Sequence, residues 1–186
     1  MVGAPEAQGR PRVFTLGHST RSLEELLALL REAGVRVLVD VRRFPASRRH
    51  PQFAREALSA ALVAAGLRYE WLGETLGGRV RETLPPERSP NRAWTEPAFR
   101  RYADASAAPA FRAGLATLEA LAREAPAAVV CAERLWWRCH RRILADWLLV
   151  RGFEVVHLLG PGEREVHALS EWARVADGVL TYPALV

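Results

Sequence analysis

The chain contains no lysine; all 26 of its basic residues are arginine. Among 186 residues it has two glutamines, one asparagine, two cysteines and one methionine. Two cysteines cannot build a disulfide framework, so free thiols are expected. No apolar run approaches the ~18 residues of a membrane-spanning helix. Met1–Arg12 is polar and rich in glycine and proline, without the apolar centre of a signal peptide, and reads as a loose tail. Apolar residues at 49% and charged residues at 25% exclude a disordered or collagen-like chain. The arginine bias is that of GC-rich coding, and scarce amides also fit a heat-adapted protein. A net charge of +5 permits an anionic partner without requiring one. The length suits one domain, expected over residues 13–186.

The pattern that remains is strand alternating with helix. Val13–Leu16 reads as a buried strand. Ser22 with Glu25 three residues later forms a capping box for a helix whose stripe is Leu23, Leu26, Leu27 and Leu30, ended by Gly34. Val35–Val41 is apolar nearly throughout, as in a strand covered on both faces. Pro51 opens and Gly66 closes a second helix, and Leu67–Leu72 is a third strand. Gly73–Arg92 reads as a long loop. Helices are expected over Glu96–Ala105, Pro109–Glu124 and about Trp137–Arg151, with strands at Ala127–Cys131 and Phe153–Leu159. The tail predicts a short helix near Ser170–Ala176 and an extended end near Val179–Tyr182. This order predicts a single α/β domain, with a mostly parallel sheet of about five strands and helices on both faces.

Open parallel sheets bind ligands outside the carboxyl ends of their strands. After the first strand come His18 and Ser19. At the end of the second stand Asp40 and Arg42, followed by Ser47, Arg48 and Arg49. After the fourth come Cys131, Glu133, Cys139, His140 and Arg141, and His157 sits in the fifth. Each has two readings. His18 is either a site residue or a neutral core imidazole. Asp40 is either a general base or the anion of an ion pair with Arg42. The four arginines of the Arg42–Arg49 loop form either a solvated face or a phosphate or carboxylate site. Gly77 and Gly78 allow close backbone approach or merely a turn. Trp136 and Trp137 could stack a base, but more commonly such a pair is half core and half rim.

Cys131, ending an apolar strand, reads first as a small buried hydrophobe. Cys139, at a helix start beside Arg138 and Arg141, should have a lowered pKa, as a nucleophile or redox thiol does. A Cys131–Cys139 disulfide would belong to an oxidising or hyperthermophile setting. The paired Cys-x2-Cys spacing of metal sites is missing, so no metal ligands are assigned. A Cys-x5-Arg phosphatase loop is also not met, because Trp137 stands where the arginine belongs.

Several short motifs carry a resemblance. They are Thr15-Leu-Gly-His-Ser-Thr20, Leu38-Val-Asp-Val-Arg42 with Pro45, Ser47 and Arg48, Leu76-Gly-Gly78, Cys131-Ala-Glu133, Cys139-His-Arg141 and Leu180-Thr-Tyr-Pro183. In this order the chain resembles the domain of unknown function 488 family of bacteria and archaea. The resemblance implies a compact cytoplasmic α/β domain and a shared importance of His18, Asp40, Arg42, Ser47, Arg48, Glu133, Cys139, His140 and Arg141. It gives no reaction, and any cofactor stays unknown.

Three readings follow. The first is an enzyme acting on an anionic, phosphate-bearing substrate, a nucleotide or nucleic acid foremost. His18, Asp40, Glu133, Cys139 and His140 would supply its chemistry, and Ser19, Arg42, Ser47, Arg48, Gly77, Gly78 and Arg141 would bind the substrate. The second is a non-catalytic nucleic-acid-binding or regulatory module using the arginine clusters. The third is a thiol redox or metal protein built on Cys131, Cys139 and His140. A deep pocket holding these groups would favour the first, and a flat basic face the second.

Overall fold

The computed structural model describes residues 10–46, 48–81 and 84–184. Most of the expected tail, and Ser47, lie outside the described residues.

Five strands run parallel: β1 (Arg12–Gly17), β2 (Val37–Asp40), β3 (Arg68–Trp71), β4 (Ala127–Cys131) and β5 (Glu154–Gly160). A sixth, β6 (Glu163–Val166), lies antiparallel on β5, giving the order β3-β2-β4-β1-β5-β6. Side chains alternate between faces along each strand. Phe14, Leu16, Leu38, Ala128, Val130 and Val156 meet α1 (Leu23–Glu32) and α2 (Arg55–Ala64). Val13, Val37, Val39, Val129 and Val155 meet α5 (Pro109–Glu124) and α6 (Arg141–Val150), with α4 (Pro97–Ala105) beside them. The sheet is thus covered on both faces, as the unbroken apolar strands predicted. The capping box at α1 forms as read, with Ser22 Oγ accepting from Glu25 N and Glu25 Oε2 from Ser22 N.

Three local expectations need correction. Gly73–Arg92 is not all loop; it contains α3 (Gly73–Leu76) and a 3-10 turn at Pro86–Arg88. Near Ser170–Ala176 there is no helix. Instead β7 (Arg174–Ala176) pairs with β8 (Val179–Thr181) across Asp177-Gly178, both at positive φ. An Asp-Gly pair takes the turn whose twist suits a hairpin, which outweighs weak helical propensity. Finally, α6 begins at Arg141; Trp136–Arg138 forms a 3-10 turn, and Cys139 lies extended between the two. That break turns Cys139 back toward the end of β4.

Candidate active site

The carboxyl ends of β2 and β4 open into a cavity of about 320 Å³, lined in part by Arg42, Arg43, Cys131, Glu133, Arg138, Cys139 and His140. Gly78 and Arg79 from the segment after α3, and Ala98 and Phe99 from α4, supply the opposite wall. No helix among the described residues is long and apolar enough to cross a membrane.

Two thiols and an imidazole meet on the cavity floor. Cys139 Sγ lies 3.6 Å and Cys131 Sγ 4.0 Å from His140 Nδ1, and the three atoms all fall within 4.8 Å of one another. Arg141 Nε donates to Cys139 Sγ at 3.4 Å. The two thiols divide their acidity. For Cys131, the hydrogen bond to Cys139 comes first and burial second, and together they raise its pKa well above the ordinary value. For Cys139, burial opposes ionisation, but the Cys131 hydrogen bond, His140 and Arg141 overcome it and hold the pKa well below the ordinary value. Cys131 is a buried core residue and also a hydrogen-bonding neighbour of a thiolate. Gly78 makes room for this arrangement, because a Cβ there would lie 2.3 Å from His140 Nδ1.

The cations around the floor differ in what they already hold. Arg42 is fully committed: Nε and Nη2 donate to Asp40, and Nη1 donates to the Phe53 carbonyl. Asp40, wholly buried, also accepts from Tyr69 Oη at 2.8 Å. The pair is therefore a neutral wall. Arg43 donates to the Glu74 carbonyl and forms no ion pair among the described residues. Arg79 and Arg138 have no acidic partner among the described residues. Three guanidinium groups with no acidic partner among the described residues thus face a cavity at whose rim Glu133 stands, accepting from Leu135 N.

His18 lies one layer below. Its Nδ1–H donates to the Ser19 carbonyl, and its Nε2 lies 3.1 Å from Arg42 Nη1. Burial first, and Arg42 next, lower its pKa to about 4, so it is a neutral, oriented imidazole resting on Phe53. Of the residues singled out from sequence, Glu133, Cys139, His140, Arg42 and Gly78 line the cavity. Asp40 and His18 support it through Arg42, and Arg141 supports it from behind Cys139. Ser19 and Gly77 do not line it, and Arg48 is exposed elsewhere. Sequence reading missed Arg79 and Phe99 as wall residues, and offered Arg43 only as one of the four arginines of the basic loop after β2.

A second buried imidazole, His157, stacks on Trp136 with centroids 4.2 Å apart and planes 7° from parallel. Burial, then His167 and Arg141, lower its pKa to about 2. Both His18 and His157 stay neutral in the folded state while the unfolded chain protonates them near pH 6.5. Below that pH the unfolded state binds more protons, so stability falls as pH drops toward the folded values. We expect roughly 2 kcal/mol lost per histidine between pH 7.5 and 5. Urea unfolding at the two pH values measures this, and unchanged midpoints would contradict it.

Compared with known proteins, residues 22–148, more than half of the chain, match the family model described as domain of unknown function DUF488. No curated protein and no solved structure matches the chain.

Proposed function

The chain belongs to the domain of unknown function 488 family, and we propose that it is an enzyme whose Cys139 thiolate acts on an anionic, phosphate-bearing substrate. The supporting observation is that an acidified thiol and three cations with no acidic partner among the described residues share one concave cavity. Arg43, Arg79 and Arg138 hold the anion. Cys139 is the nucleophile, with Cys131 as hydrogen-bond donor to its sulfur and His140 placed to take up and return its proton. Glu133 at the rim is a further acid/base group. Phe44 and Phe99 give the cavity two aromatic walls against which a nucleobase could stack, so a nucleotide is the leading substrate. The concave shape favours this reading over a nucleic-acid-binding face.

Thermal unfolding with phosphate, nucleotides, sugar phosphates and short oligonucleotides tests the anion site. A ligand at ~100 times its Kd stabilises by about 2.7 kcal/mol, a rise in Tm of roughly 5–10 °C for a chain of this size. We expect one class to stabilise the wild type and to lose most of that effect in Arg79→Ala. No stabilisation by any of them would contradict the site.

One observation favours a second reading. Two thiols in contact can close to a disulfide, which would make the pair a redox centre. Mass measurement before and after one equivalent of hydrogen peroxide separates the readings: a loss of two hydrogens joining Cys131 to Cys139 supports the redox centre, and two intact thiols end it. Three soft donors at this spacing would also accept a metal ion. Against a cation stand the surrounding guanidinium groups and His140 Nε2, which is buried with no partner among the described residues, where a metal-bound ring would normally donate.

A further inference from the structure

Behind Cys139, on the side away from the cavity, runs a line of buried polar groups that the proposed chemistry does not use. Asp146, on α6, is wholly buried. Its Oδ1 lies 2.9 Å from His167 Nε2. His167 Nδ1 lies 3.0 Å from His157 Nε2, and His157 Nδ1 lies 2.7 Å from Thr15 Oγ1. Thr15 Oγ1 accepts from Arg141 Nη1 at 3.5 Å, and Arg141 Nε donates to Cys139 Sγ. Thr15, His157, His167 and Arg141 are all buried, and Trp136 covers both imidazoles.

In the tautomers that carry one proton on each ring, this line has one hydrogen-bond polarity. A carboxylate only accepts, so His167 must donate to Asp146 through Nε2–H. That leaves His167 Nδ1 to accept from His157 Nε2–H, and His157 Nδ1 to accept from the Thr15 hydroxyl. Thr15 oxygen is then oriented to accept from Arg141. Asp146 is fixed in turn by Ser170 N at 3.1 Å, Ser170 Oγ at 2.7 Å and Tyr182 Oη at 2.8 Å. Burying such a line costs free energy that apolar side chains of similar volume would not. The line reaches the cavity floor by a hydrogen bond from Arg141 Nε to Cys139 Sγ.

We propose that Asp146, His167, His157 and Thr15 are positioning residues that hold Arg141 against Cys139 and thereby make Cys139, not Cys131, the reactive thiol. The inference rests on the thiolate reading given above. The line transfers no proton; it fixes an orientation. Arg141 has other anchors, donating through Nη2 to the Glu133 and Arg134 carbonyls. Losing the line therefore loosens Arg141 rather than releasing it. The other groups facing Cys139 are Cys131 from β4, His140 and Arg138 beside it in the chain, Tyr102 from α4 and His157 from β5. All but His157 lie outside the line and stay in place when Thr15 changes.

The test is the pH dependence of iodoacetamide alkylation at Cys139, followed by peptide mass. Thr15→Val is nearly isosteric and removes the hydroxyl that joins His157 to Arg141. His157→Phe keeps a ring under Trp136 and removes both nitrogens, so the test does not depend on one variant folding. We expect both to raise the midpoint of the Cys139 profile by about one pH unit, with Thr15→Ser restoring it. Profiles of Thr15→Val and His157→Phe that superimpose on the wild type would overturn the positioning role while leaving the thiolate reading intact. A wild-type profile with no acidic midpoint at Cys139 would overturn the thiolate reading, and this inference with it.

Discussion

In Cys139→Ser, alkylation of the folded protein at pH 6 is expected to disappear, whereas in Cys131→Ser it should persist. At that pH an ordinary thiol is under about 1% ionised, and thiolate is the reacting form. The Cys131 thiol, His140 and Arg141 favour that form at Cys139, while the hydrogen bond to Cys139 and burial favour the protonated form of Cys131. The lower basicity of an acidic thiolate weakens its attack, since nucleophilicity falls with pKa. The ionised fraction outweighs that loss at pH 6, so the rate at Cys139 should exceed that at Cys131 by about tenfold or more. In Cys131→Ser, a serine hydroxyl still donates to the Cys139 sulfur, and reactivity should change only modestly. Peptide mass mapping of each variant reads this directly. Equal labelling of the two cysteines, or labelling of Cys131 alone, would contradict the assignment of the nucleophile.

The largest loss of stability is expected at Asp146. Its carboxylate accepts from His167, from the backbone and hydroxyl of Ser170, and from Tyr182, and it is wholly buried. Asp146→Ala leaves those donors facing a void. Removing one partner of a buried charged network costs about 3–5 kcal/mol. For a chain of this length that is a fall in Tm of roughly 6–20 °C. Asp146→Asn keeps the shape and two hydrogen-bonding atoms, so it should lose less. Because Tyr182 follows β8 and Ser170 precedes β7, the loss should also free the C-terminal hairpin, seen as faster amide exchange over residues 174–181. A Tm within about 3 °C of the wild type in Asp146→Ala would contradict this account of the network.

How far these features were legible from sequence depends on which physical rule governs each element. The parallel core was legible because strands covered on both faces have no polar positions, as in Val37–Val39 and Ala127–Cys131. The edge strand β6 was not, since Glu163–Val166 is exposed throughout and has no apolar alternation to detect. The β7–β8 hairpin had a local signal in Asp177-Gly178 that the surrounding helical pattern obscured. For the site, the rule that ligands lie beyond strand ends leads to the edge where Cys139, His140 and Glu133 stand. It cannot say which arginine is free. Arg42 is spent on Asp40 because a wholly buried carboxylate must be paired, whereas Arg79 reaches the cavity from a segment after α3 that strand order does not place. The line from Asp146 to Thr15 was beyond reach for a related reason. It joins β1, β5, α6 and the segment after β6, and its members become neighbours only once the chain has folded.

The proposed function requires a reactive thiolate and an anion-binding set of arginines in one cavity. Iodoacetate and iodoacetamide carry the same reacting carbon and differ in charge, so their relative rates at Cys139 measure the cavity's field at the nucleophile. If Arg43, Arg79 and Arg138 govern that field, iodoacetate should react faster than iodoacetamide at low ionic strength. The preference should shrink with added salt and in Arg79→Ala. Faster reaction with iodoacetamide at every ionic strength, or no labelling of Cys139 by either reagent, would contradict the account.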